Sequence, residues 1–294
     1  MESGQQTGEG PGGQDEEIRA GMRAMWGLVA SGWEENADFV DRSGADMTAA
    51  MLAAANLKSG ERVLELACGP GGVGMAAAEQ VGPDGEVVLS DVAPEMTAIA
   101  ASRANENGLT NVTTQELDLE QIDQPDGSYD AALCREGLML AVDPARAAAE
   151  IRRVLKPGGR AVVTVWGPRE RNPWLGAMLD AVGAQLGGTV PPPGVPGPFS
   201  LDGREKLHAA LTGGGFEDVD VEEVEVPWLG SSFDQWWQVT AALAGPLAKL
   251  LEAQPAEAIE AIRAHAREAL GEYETASGLE IPGVTLVGTA ALSP

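Results

Sequence analysis

Between residues 62 and 166 short apolar runs alternate with helix-like stretches, and nothing else in the 294-residue chain limits its fold as strongly. The runs are RVLELA (62–67), EVVLSDV (86–92), NVTTQELD (111–118), YDAALCREG (129–137) and RAVVTVW (160–166). Between them lie GMAAAEQV, PEMTAIAASRANENG and PARAAAEIRRVL, which read as helices, and KPGG (156–159), which reads as a tight turn. Strands that are apolar along most of their length are buried on both faces. With helices between them they predict a parallel sheet covered on both sides, an α/β fold whose ligands sit beyond the carboxyl ends of the strands.

Beyond Trp166 the pattern loosens. Residues 173–187 read as a helix, TVPPPGVPGPFS as a Pro-rich loop and DGREKLHAALTGGGF as a helix that stops at glycine. FEDVDVEEVEVPW (216–228) alternates apolar and acidic residues, as a half-exposed strand does. GVTLVGTAAL (283–292) is a final strand, and residues 231–274 read as two helices broken at Gly245-Pro246. A connection of about 50 residues between two strands is long, and long connections are often functional. A helical cap at about 229–280 is therefore expected between the last two strands. At the other end, residues 17–58 read as helical, with Met22, Met25, Trp26, Val29 and Trp33 on helical spacing. That stripe suits a helix packed on the core and a lid over a site equally well. Residues 1–16, polar, acidic and rich in glycine, are expected to be a disordered tail, and 59–294 the main domain.

Composition excludes several function classes. The hydrophobic share of 44% supports a sizeable core. With 45 acidic against 19 basic residues the formal net charge is −26, which serves solubility and disfavours a nucleic-acid partner. No apolar run is long enough for a membrane span, and the N-terminus lacks the pattern of a signal peptide. Two cysteines, Cys68 and Cys134, without a C-x-x-C, form no metal cage and fit a reducing cytoplasm. No metal is expected.

The turn after the first strand, ELACGPGGVG (65–74), holds Gly69, Gly71 and Gly74 as G-x-G-x-x-G. Such a turn brings backbone N–H groups at a helix N-terminus close to a ligand, pyrophosphate or carboxylate alike. Glu65, four residues before Gly69, favours a ligand with a positive amino group and would repel a nearby pyrophosphate. Asp91 ends the second strand, 20 residues after Gly71, where a carboxylate accepts both hydroxyls of a ribose. Asp118 ends the third and could accept from an exocyclic amine such as that of adenine.

The blocks VLELACGPGG, VVLSDVAPEM, DLEQIDQPDGSYDAALCREGLML and LKPGGRAVVTVWGP, in this order, resemble the class I S-adenosylmethionine-dependent methyltransferases. The likeness is to the ubiquinone/menaquinone-biosynthesis-like branch (methyltransferase domain 11/25 type), which acts on small molecules. It implies a Rossmann-like, seven-stranded, mostly parallel sheet with the last strand antiparallel. It implies S-adenosyl-L-methionine as cofactor and S-adenosyl-L-homocysteine as product. By position, Glu65, Ala67, Gly69 and Gly71 would hold the methionine part, Asp91 the ribose, and Val92 and Met96 would flank the adenosine. Asp118 and Leu119 would contact adenine, and Arg135 would border the substrate cavity. Ala67 departs from the glycine common at its position.

Methyl transfer needs chiefly an aligned nucleophile, and a base only if a proton must leave first. Candidate bases are His265, Glu136 and Tyr273, none with a decisive warrant; His208 reads as a surface residue. Trp166, Trp236 and Trp237, with Trp26 and Trp33 on the lid, are candidate pocket residues for an apolar, aromatic or isoprenoid-like small molecule, methylated on oxygen or carbon. Cys68 and Cys134 follow strands expected to be adjacent, so the thiols could lie close together. The apolar N-terminal helix could pair two copies in a homodimer. Two other readings stay open. One is a relative that binds the cofactor but catalyses a non-methylating reaction. The other is an NAD-dependent oxidoreductase, against which Glu65 and LKPGG count.

Overall fold

The computed structural model describes residues 11–294. In chain order the helices are α1 (Pro11–Glu35), α2 (Ala37–Ser43), α3 (Ala45–Ala55), α4 (Gly72–Val81), α5 (Pro94–Glu106), α6 (Pro144–Val154), α7 (Pro173–Leu186), α8 (Arg204–Gly213), α9 (Phe233–Leu243), α10 (Pro246–Glu252) and α11 (Ala256–Leu270). The strands are β1 (Arg62–Leu66), β2 (Glu86–Asp91), β3 (Val112–Glu116), β4 (Tyr129–Arg135), β5 (Leu155–Trp166), β6 (Asp218–Glu225), β7 (Trp228–Gly230), β8 (Glu274–Thr275), β9 (Gly278–Ile281) and β10 (Val284–Ala291). Seven of them form one sheet in the order β3-β2-β1-β4-β5-β10-β6. β1 to β5 pair in parallel, and β10 runs antiparallel to both β5 and β6. This is the α/β sheet expected from the alternation, in the Rossmann-like, seven-stranded form that the resemblance implied.

The burial of β1 explains its unbroken apolar run. Val63 packs with Val87, Leu89 and Met51 on one face of the sheet, while Leu64 and Leu66 pack with Val88 and Ile151 on the other. Neither face is solvated, so the strand's side chains are apolar except Arg62 at its start and Glu65, whose buried carboxyl needs a partner. Local signals set the helix starts on these faces. Pro94 stands at the first turn of α5, and the Asp143 carboxylate caps α6 by accepting from the Ala145 and Arg146 N–H groups.

Several boundaries differ from the sequence reading. Residues 1–10 of the expected tail lie outside the described residues, but 11–16 belong to α1. Pro11 suits the first helical position, and docking of the stripe from Met22 onward outweighs the helix-weakening glycines at 12 and 13. KPGG, read as a tight turn before the strand, lies inside β5, where Gly158 takes φ +74° and the pairing with β4 shifts register. The cap holds three helices, not two, because Pro255 starts a second break, and it adds the small sheet β7-β9-β8.

Helix α1 leans on α5 and on α9 and α10 of the cap, so it bridges the carboxyl end of the sheet and the insertion. At the break between α9 and α10, Gly245 takes φ +54°, and a Cβ there would stand 2.8 Å from the Trp26 ring. α3 packs on β5, β6 and β10.

Candidate active site

Past Leu66 the chain must leave the sheet and start α4 within five residues. Ala67, Gly69 and Gly71 do this with φ of +50°, +51° and +83°. Gly71 has a second constraint, since a Cβ there would lie 2.9 Å from Leu89 Cδ1 and 3.1 Å from Ala100 Cβ. Ala67 holds a left-handed backbone that costs an alanine roughly 1–2 kcal/mol, which is why glycine would be easier there. Glu65 is buried beneath the turn, and the Gly74 N–H donates to its Oε2 at 2.8 Å. Burial pushes its pKa up to about 8, with the Arg135 guanidinium opposing. Asp91 accepts from Gly69 N–H through Oδ2 and from Ala93 N–H through Oδ1, both at 3.0 Å. Burial raises its pKa as well. Each oxygen keeps a lone pair for a further donor.

The neighbouring strand ends complete a crevice. Asp118 lies two residues past β3, not at its end as expected, and its Oδ1 accepts from Glu120 N–H at 2.8 Å. Its Oδ2 stands 3.9 Å from Arg23 Nη2 of α1. One turn earlier, Arg19 donates through Nε and Nη2 to Glu120 Oε2 at 3.1 and 2.7 Å, while Glu120 Oε1 accepts from Val142 N–H. Val92, Asp118 and the two arginines line a cavity of about 210 Å³. Met96 is buried with Ala30, Ala93 and Ile99, flanked by Trp26 and Trp33. The Trp33 ring passes 3.9 Å from where a Gly69 side chain would begin, and its Nε1 is shut off from solvent with no hydrogen-bond partner among the described residues.

This crevice lies where the strand order reverses, between β1 and β4, the place where open α/β sheets bind ligands. Residues 57–180 match the family described as a methyltransferase domain. Among curated proteins the chain is 37% identical over 142 residues to the ubiquinone/menaquinone biosynthesis C-methyltransferase UbiE of Cupriavidus metallidurans. The match covers 44% of this chain and 58% of that relative, so the chain spans little more than half of its length. The chain belongs to the class I S-adenosylmethionine-dependent methyltransferases. An uncharacterized protein of Mycobacterium bovis is 30% identical over 208 residues, covering 70% of this chain and 69% of that one. The solved structure of the YcgJ protein from Bacillus subtilis superposes with a TM-score of 0.59 at 19% identity, over 84% of this chain and 98% of that one; it shares the fold.

The cofactor of this methyltransferase family is S-adenosylmethionine, and the residues present fit it. The glycine cradle admits no side chain at Gly71, Glu65 and Asp91 offer buried carboxylates, and Trp33, whose ring passes the loop at Gly69, carries an indole N–H unpartnered among the described residues.

The remaining candidates separate by placement. Arg135 reaches the α2–α3 junction, its Nη1 3.5 Å from Thr48 Oγ1. Leu119 is half-buried, 3.7 Å from where a Cβ on Gly137 would stand. Trp166 meets Trp174 edge-on at 5.0 Å, at the carboxyl end of β5. Trp236 is instead fully buried in the cap's own core, its Nε1 donating to the Trp174 carbonyl, and Trp237 is buried beside it under the Arg263 guanidinium. Both rings pack among Phe233, Leu175 and Leu270 in the cap's own core, away from the glycine turn. His265 is exposed on α11, like His208 on α8, and neither is held toward the crevice by a hydrogen bond. Tyr273 lies half-buried at the end of the cap, its pKa raised by burial. Both cysteines are free and buried, Cys134 in the cluster with Leu64 and Leu66 and Cys68 in the cluster with Val63 and Leu133. Glu136 alone among the candidate bases follows a strand at the switch point, directly after β4.

The sequence reading missed the α1 arginines, Arg19 with its partner Glu120 and Arg23 beside Asp118. It also missed Thr164 and Thr285, which meet Glu136. None carries a local motif. Their signal is only that buried carboxylates require partners.

Proposed function

We propose that the protein transfers a methyl group from S-adenosylmethionine to a small apolar acceptor, aromatic or isoprenoid-like, on carbon or oxygen. The observation that carries this reading is the buried carboxyl of Glu65 under the glycine turn. Burial leaves its ionised form short of a counter-charge, which the ammonium of an amino-acid moiety supplies and a pyrophosphate does not. Glu65, Ala67, Gly69 and Gly71 would hold that moiety, Asp91 the ribose hydroxyls, and Val92 and Met96 the adenosine. Asp118 and Leu119 would meet the adenine edge, with Arg23 yielding its place at Asp118. Arg135 would border the acceptor.

When bound, the cofactor supplies an electrophilic methyl carbon on a sulfonium. The protein's own contribution is placement and the exclusion of water: residues 17–58 act as a lid and about 229–280 as a cap, with Trp166 and Trp174 offering aromatic edges to the acceptor. The printed name of the Cupriavidus relative supports carbon methylation of a quinone-like ring. The net charge of −26 argues against a nucleic-acid partner. Among the described residues no helix is long and apolar enough to cross a membrane.

Calorimetry with S-adenosylhomocysteine and with NAD tests the cofactor, and a metabolite extract with methyl-labelled S-adenosylmethionine tests the transfer. Binding of the first ligand alone and a labelled small-molecule product are expected. Binding without any labelled product would overturn the methyl-transfer reading, and NAD binding would overturn the cofactor.

A further inference from the structure

Glu136 combines four unusual features. Its φ is +55°, a conformation that costs a non-glycine residue about 1–2 kcal/mol and that concentrates at functional sites. Its backbone is pinned there, because its N–H donates to the Thr164 carbonyl at 3.0 Å and lies 3.2 Å from Thr164 Oγ1. Its Oε1 accepts from the Thr285 hydroxyl at 2.9 Å. Its Oε2 is shut off from solvent and has no hydrogen-bond partner among the described residues. Half-satisfied buried carboxyls are costly unless they serve something.

Position gives the use. Glu136 follows β4 at the switch point, and the next residue touches the glycine turn: a Cβ on Gly137 would lie 2.5 Å from Ala67 Cβ. On its other side are the ends of β5 and β10, where Thr285 pairs with Trp166. The carboxyl thus stands between the cofactor loop and the aromatic edges of Trp166 and Trp174.

We propose that Glu136 is the general base of this methyltransferase, and that the acceptor is a protic aromatic or enolic hydroxyl compound. This rests on the methyl-transfer reading above. The acceptor's O–H bond breaks, the proton passes to Glu136 Oε2, and the electron pair stays on the acceptor. That pair, on oxygen or on a conjugated ring carbon, forms the bond to the methyl carbon as the carbon–sulfur bond breaks and its electrons return to sulfur. Where ring carbon is methylated, that carbon's own proton then leaves to water.

Thr285 accommodates both charge states. Its single hydroxyl proton has two acceptors at 2.9 Å, Glu136 Oε1 and the Val165 carbonyl. It faces the carboxylate while Glu136 is ionised and can turn back to the strand once Oε2 is protonated. Burial lifts the Glu136 pKa to about 7, where a base operates best near neutrality. The facing groups are the hydroxyls of Thr285 and Thr164, the Arg135 guanidinium and the Trp166 backbone N–H, all of which favour the ionised form, and Cys134, whose buried thiol is pushed up to about 12 and stays neutral.

The test compares wild type, Glu136→Gln and Glu136→Asp in methyl transfer from labelled S-adenosylmethionine to catechol, 2-naphthol and hydroquinone as probes, across pH 5.5 to 9, beside S-adenosylhomocysteine calorimetry. Glu136→Gln should bind S-adenosylhomocysteine as wild type does, lose transfer by about 10²–10⁴-fold, and lose the rise in kcat/KM centred near pH 7. Glu136→Asp should keep that rise at a reduced rate. Unchanged transfer and pH profile in Glu136→Gln would overturn the role of Glu136. A wild-type protein that binds S-adenosylhomocysteine, labels a product in extract, yet labels none of the phenolic probes would overturn the acceptor class. Failure to bind S-adenosylhomocysteine or to label any product would overturn the methyl-transfer reading instead.

Discussion

The Gly74 N–H donates to Glu65 Oε2 at 2.8 Å, so one buried carboxyl ties the end of β1 to the first turn of α4 across the glycine loop. Its pKa, pushed up to about 8, keeps it mostly protonated at pH 7. An ammonium brought beside it favours the ionised form. Binding of S-adenosylhomocysteine at pH 7 should therefore release close to one proton, and the affinity should rise with pH toward about 8. Calorimetry in two buffers of different ionisation enthalpy reads the proton directly. Glu65→Gln should release none and bind at least tenfold more weakly; proton release from that variant would show that the proton comes from elsewhere.

Stability should fall as pH rises through neutrality. Glu65 and Glu136 start from an ordinary value of 4.5 and are raised by burial to about 8 and about 7, and Asp91 is raised too. Between 4.5 and those values the folded chain binds more protons than the unfolded one, so the stabilising contribution is complete below about 4.5 and is lost as pH passes 7 and then 8. Glu61, Asp130 and Glu150 act the other way, because hydrogen bonds from Arg160, Lys156 and Arg153 hold them below the usual range. Their contribution is present above the unfolded pKa and lost as pH falls through the lowered one. A urea midpoint higher near pH 5.5 than near pH 8.5 is the expected outcome. The double variant Glu65→Gln, Glu136→Gln should flatten most of that difference.

Gly71→Ala should damage both fold and site. The left-handed φ of +83° strains any side chain, and a Cβ there would meet Leu89 and Ala100 inside ordinary contact distance. A loss on the order of 2 kcal/mol is expected from strain and overpacking together. Because the loop must shift to relieve the contact, S-adenosylhomocysteine affinity should fall at least tenfold. Gly108→Ala is the control, since its φ is +69° but nothing lies within 4 Å. It should lose about 1 kcal/mol to strain alone and leave affinity unchanged. Equal effects of the two variants on affinity would detach the Gly71 contacts from ligand binding.

The parts of this site that lie on consecutive residues were readable from sequence. Leu64, Glu65 and the glycines succeed one another within ten positions, and the apolar run, carboxylate and turn each leave a local trace. Asp91 was readable for the same reason, as the acid that closes an apolar strand. What the sequence could not display is pairing at long range. Arg19 meets Glu120 across 101 positions and Glu136 meets Thr285 across 149, and neither partner has a pattern of its own. Trp236 misled in the opposite way. In a chain with 4% aromatic residues a Trp-Trp pair draws attention as a ligand contact, but a small cap also needs large side chains to bury enough apolar surface, and here that need prevails. The start of α1 was hidden because glycine-rich composition argues for a tail, while the docking of α1 against α5 and the cap is a tertiary effect.

Two tryptophans separate lid chemistry from cap packing. Trp33 lies beside the glycine loop with an unpartnered indole N–H, whereas Trp236 is wholly buried and its N–H already donates to the Trp174 carbonyl at 2.9 Å. Trp33→Phe removes a donor that has no partner among the described residues, so the unfolding midpoint should stay the same or rise slightly. S-adenosylhomocysteine affinity should fall several-fold, because the ligand then loses a donor at the loop. Trp236→Ala opens a cavity in the cap and frees the Trp174 carbonyl, which should cost about 3–5 kcal/mol. The loss falls on the cap, while Glu65, Gly71 and Asp91 lie on the sheet, so affinity measured at a temperature well below unfolding should change little. Urea unfolding followed by tryptophan emission, with calorimetry on the same samples, checks both. The reverse outcome, stability lost in Trp33→Phe and affinity lost in Trp236→Ala, would make Trp33 a packing residue and would put the cap core in contact with the ligand.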